Sequence, residues 1–88
     1  MPYIIQTTRD ELDYGIDYIP NVLSDGELNY VITSIIQNVL SKRGKSYTTL
    51  NATIGVLECV KQELYRRVLT PYEEEKMAQN GDVYRANQ

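Results

Sequence analysis

A chain of 88 residues, 42% apolar and carrying a net charge of −3, has the length of one small domain with a thin core. One cysteine and no histidine exclude an intrachain disulfide framework, a zinc finger, most His-ligand metal sites and a His-based catalytic triad. Eight tyrosines stand with no Phe and no Trp, an aromatic choice that suits half-wet contact surfaces better than a dry core.

Three S/T-x-x-E sequences have capping-box spacing and mark candidate helix starts: Thr8 with Glu11, Ser24 with Glu27, and Thr70 with Glu73. Residues 1–7 then read as an N-terminal arm. After the first start, Leu12, Ile16, Ile19 and Leu23 recur on one helical face, but Gly15 and Pro20 interrupt it, so this helix is short or kinked. After the second, Leu28, Ile32, Ile35 and Val39 repeat that spacing, widened by Val31 and Ile36. Lys42 and Arg43 suit the negative end of this helix, and Gly44 can stop it.

The third helix opens at Ser46 and runs to about Leu69, with Leu50, Ile54, Leu57, Val60, Leu64 and Val68 as its apolar face. At 1.5 Å per residue it would be about 30 to 36 Å long. Pro71 is expected to push Thr70 out of helical geometry, with Thr70 capping a short fourth helix and Glu73, Glu74 and Glu75 near its positive end. Asn80 and Gly81 end that helix, and residues 82–88 read as a tail. The expected fold is a single all-α domain over residues 1–88, a small helical bundle whose second and third helices form an antiparallel hairpin across the turn "RGKS".

Charge is uneven along the chain. Residues 1–40 hold one base and six acids, residues 41–70 six bases and two acids, and residues 71–88 two bases and four acids. An acidic protein with a basic middle is a poor duplex nucleic-acid binder, because its acidic surface repels phosphates. The apolar runs are broken by polar residues and the first residues lack a basic leader, so neither a membrane span nor a secretory signal is expected. That pattern suggests a soluble protein of a reducing compartment.

Several constellations are candidates for function. Arg66 and Arg67 suit the end of the third helix electrostatically; they could pair with Asp25 or Glu27, or clamp a phosphate through their guanidinium forks. Lys45, Tyr47, Thr48 and Asn51, with Thr49, gather a lysine, hydroxyls and a ring where a helix begins. That set can cap the helix, or bind an oxyanion with a base stacked beside it. Ala52, Gly55 and Cys59 form a small-residue lane that would let another helix approach closely, from a second copy or from the same chain. Cys59 lies in a helical run without a nearby histidine and reads as a small buried apolar residue. The consecutive glutamates diverge by about 100° per residue around a helix and do not converge on a metal ion. No catalytic set, metal site or cofactor motif assembles, so a non-enzymatic role is expected.

The blocks "MPYI", "GELNYVIT" (26–33) and "SYTTLNATIGVLECVKQELYRRVLTPYEEEKMAQNGDVY" (46–84) resemble a family of small proteins of unknown function from bacteriophages and environmental sequences. The resemblance implies a phage accessory protein acting in the host cytoplasm and brings no catalytic residues with it. By analogy with small phage proteins that oligomerise and sequester host nucleotide signals, the first expectation is a homo-oligomeric helical binder of a small anionic, nucleotide-like ligand. Its ligand-binding residues would be Lys45, Tyr47, Thr48, Asn51, Arg66 and Arg67, with Ala52, Gly55 and Cys59 at the subunit interface. The alternative is a protein-interaction module that blocks or adapts a host or virion protein through its tyrosine-rich surface. The first needs basic groups converging in an assembly; the second needs exposed tyrosines and aliphatics without a concave pocket.

Overall fold

The computed structural model describes residues 2–85. Among them every regular element is helical: α1 (Gln6–Ile16), α2 (Asp25–Arg43), α3 (Tyr47–Leu64), a π-helical turn (Tyr65–Leu69) and α4 (Thr70–Asn80). The all-α expectation holds. By contacts the chain divides into two compact units, Met1–Ile54 and Gly55–Gln88, with the boundary inside α3.

In the first unit, α1 starts two residues before the Thr8 box. Ile5 precedes it without a side-chain cap, and Arg9 N–H donates to the Ile5 carbonyl. Two side chains do the local work instead: the Arg9 guanidinium donates to the Ile4 carbonyl at 2.7 Å, and the Gln6 amide donates to Asp10 at 2.8 Å. The helix passes through Gly15 and stops at Ile16. Tyr18 and Ile19 N–H groups then make tighter bonds, three residues back, to the Gly15 and Ile16 carbonyls. The apolar face expected through Ile19 and Leu23 is therefore helical only as far as Ile16.

The start of α2 follows its sequence signature. Glu27 N–H donates to the Ser24 hydroxyl at 3.1 Å, and Ser24 N–H donates back to the Glu27 carboxylate at 2.9 Å, a complete capping box. The bond from the Ser24 backbone, then the one to its side chain, hold the Glu27 carboxyl below its usual value of 4.5. A group whose folded pKa is depressed contributes stability that is complete above the unfolded pKa and is lost as pH falls through the folded one. The wild type is therefore expected to lose α2 helicity as pH falls below about 4.5, and Glu27→Gln to lack that loss. Paired acid titrations by circular dichroism check this; identical acid midpoints would contradict it.

At its other end α2 carries Lys42 and Arg43 in the last turn, and Gly44 N–H bonds the Leu40 carbonyl. Gly44 adopts φ 84° and ψ 146°, a region nearly confined to glycine. Ser46 then starts α3: its hydroxyl accepts from Thr49 N–H at 3.1 Å and donates to the Thr49 hydroxyl at 3.0 Å.

In the second unit the expected break before Pro71 is replaced by a change of helix type. Thr70 has helical geometry (φ −60°, ψ −49°), and its N–H bonds the Tyr65 carbonyl, five residues back. No side chain caps α4. Thr70 is therefore not a cap, and the Thr70 to Glu73 box is not used. A proline inside an α-helix clashes with the carbonyl four residues earlier, here that of Arg67, and offers it no N–H. The wider π turn over Tyr65–Leu69 precedes the ring and lets the chain stay helical past it. Gly81 ends α4 with φ 86°, its N–H on the Met77 carbonyl. Beyond it Tyr84 N–H donates to the Asp82 carboxylate at 2.9 Å. The last three residues of the expected tail lie outside the described residues.

Candidate interaction surface

No apolar side chain among the described residues is buried. The one buried residue is Thr53, 7% exposed, whose hydroxyl donates to the Thr49 carbonyl at 2.8 Å and so satisfies itself within its own helix. Sequence reading missed Thr53, although its hydroxyl is four residues from an available carbonyl. All eight tyrosines are exposed, Tyr18 at 89% and Tyr47 at 85%. Leu28, Ile32, Ile35, Leu50, Ile54 and Leu57, read above as core-facing, are also exposed. Val31, Ile36, Val39 and Leu40 on α2 are half-buried.

The small-residue lane lies open. Ala52, Gly55 and Cys59 are exposed, and a methyl group built on Gly55 meets nothing within 4 Å. Cys59 is thus a surface thiol, correcting the expectation of a buried one. At 100° per residue its face of α3 lies opposite that of Leu50, Leu57 and Leu64, and both faces are exposed.

The candidate ligand residues divide between the two units. Lys45, Tyr47, Thr48 and Asn51 are exposed in the first. Lys45 borders an open hollow with Gln37, Leu40, Ser41 and Gly44. Arg66 and Arg67 belong to the second and sit within the π turn. Arg66 is already engaged: its guanidinium donates to both carboxylate oxygens of Glu63 at 3.2 and 3.3 Å, an ion pair one helical turn long. In α4, the Lys76 ammonium lies 5.5 Å from the Tyr72 ring centroid, a surface cation–π contact.

Among the described residues no group of three or more Asp, Glu, Cys or His side chains could hold a metal ion. No helix there is long and apolar enough to cross a membrane. The fold and surface define a small all-α protein that presents tyrosine and aliphatic side chains outward. The chain belongs to the family described as a domain of unknown function (DUF6899), matching it over residues 1–83. No curated protein and no solved structure matches it.

Proposed function

We propose that this protein acts by association rather than by chemistry, as a non-enzymatic module whose helical faces are completed by protein surface, first of all by further copies of itself. The observation that carries this reading is the exposure of apolar side chains on α1, α2, α3 and α4 with none of them buried. Burying one Leu or Ile side chain is worth about 1.5 to 3 kcal/mol, so a set of uncovered faces is a strong drive to associate. The resemblance to phage proteins supports a role in an infected host's cytoplasm, blocking or adapting a host or virion protein. Sedimentation at micromolar concentration tests the self-association: a mass well above 10.1 kDa is expected, and a strict monomer would overturn it.

A second reading, sequestration of a small anionic, nucleotide-like ligand by the assembly, is favoured by the exposure of Lys45, Tyr47, Thr48 and Asn51, of which Lys45 borders an open hollow. Arg66 and Arg67 would contribute from a neighbouring copy. In calorimetric titrations with cyclic di- and trinucleotides, the double change Arg66→Ala and Arg67→Ala is then expected to abolish binding while helicity and mass stay as in the wild type. Each lost charge-assisted contact is worth about 1.5 to 3 kcal/mol. Breaking only the exposed Arg66 to Glu63 pair would cost at most about 1 kcal/mol of stability. Unchanged ligand affinity in the double variant would remove these arginines from the site.

A further inference from the structure

We infer that α2 pairs with α2 of a second copy, antiparallel, about a two-fold axis that crosses the helix between Thr33 and Ser34. The inference rests on the self-association reading above and names the face that carries it. Leu28, Ile32, Ile35 and Val39 are spaced four, three and four residues apart, the alternation of a coiled-coil seam. Leu28 is 48%, Ile32 43% and Ile35 52% exposed, and Val39 is half-buried. Asp25 lies three residues before Leu28 and Lys42 three after Val39, so each extends the same seam by one position at opposite ends of the helix.

The register follows from these spacings. With the axis between Thr33 and Ser34, Leu28 faces Val39 of the second copy and Ile32 faces its Ile35. The same operation places Asp25 opposite Lys42 of the second copy, at both ends of the seam. Apolar side chains meet apolar ones and each end charge meets its opposite. In a parallel pair Asp25 would face Asp25 and Lys42 would face Lys42, two like-charge contacts on the seam itself. Antiparallel pairing also sets the positive end of each helix beside the negative end of the other. Glu27 takes no part, because Ser24 already holds its carboxylate.

The test is sedimentation equilibrium at low salt on the wild type, Asp25→Lys, Lys42→Asp and the double variant, with helicity followed by circular dichroism. Each single reversal is expected to weaken the dimer about tenfold or more, since every dimer holds two such contacts. The double variant restores opposite charges and should return to within about threefold of the wild type. Loss of a helix-end effect alone would not be rescued by the second reversal. A cross-linking arm holds even where a single reversal fails to fold. In a Cys59→Ser background, chains with Ile32→Cys mixed with chains with Ile35→Cys should form a disulfide-linked pair in preference to either chain with itself. Single reversals without effect, a double variant no better than the singles, or self-linked products in preference to mixed ones would overturn the α2 pairing. A wild-type dimer indifferent to the swap would do so while leaving self-association standing. A wild-type monomer would overturn both.

Discussion

Ile35→Asp is expected to abolish self-association at micromolar concentration without costing the single chain any buried contact. Ile35 is 52% exposed, so the change leaves no cavity within the chain. In an associated state the loss is twofold: the transfer free energy of one Ile, about 1.5 to 3 kcal/mol, and the cost of placing a carboxylate where that side chain was covered. A symmetric dimer incurs both at two sites, which corresponds to at least about two orders of magnitude in dissociation constant. Sedimentation of the variant beside the wild type reads the effect directly. An unchanged mass distribution would mean that this face of α2 is not where copies meet.

Pro71→Ala is expected to raise stability by about 1 to 3 kcal/mol and to close the π turn into α-helix. Proline in a helix interior is about 3 kcal/mol worse than alanine, and Thr70 is helical on its N-terminal side. With an N–H restored at position 71, the Arg67 carbonyl regains an α-helical partner, and the Thr70 N–H can move from the Tyr65 carbonyl to that of Arg66. The change would also turn the Arg66 and Glu63 side chains relative to α4, because a π turn inserts one residue into the helical register. Thermal denaturation measures the gain, and amide exchange at residues 69–72 reports the new bonding. A loss of stability would show that Pro71 stands at the true start of a helix.

The elements that could be read from sequence are those decided within four residues. The Ser24 and Glu27 box closes as its spacing dictates, and Gly44 and Gly81 end their helices because each adopts a positive φ that other residues resist. The same box motif at Thr8 and Thr70 is not used. At Thr8 the chain is already helical from Gln6, and at Thr70 a π turn carries the helix through the cap position. One residue of extra winding is cheap enough to accommodate a proline, and no pattern of apolar residues announces it. Burial was the least legible property. The stripes of α2 and α3 have the spacing of buried faces, but spacing says only that a face will be covered, not that its own chain covers it. Cys59 illustrates this: its surroundings in sequence are apolar, yet it is exposed. The candidate ligand residues were legible as chemistry, and the structure adds that Arg66 already has a carboxylate partner in Glu63.

The claim that these helices are completed by other copies is tested most directly by melting the protein at several concentrations. Isolated helices of 11 to 19 residues are marginal in water when nothing packs on them, so their stability should come from association. Circular dichroism melts from about 1 to 100 μM should then show Tm rising with concentration, as mass action requires when folding and assembly are linked. A Tm independent of concentration over that hundredfold range would contradict the account.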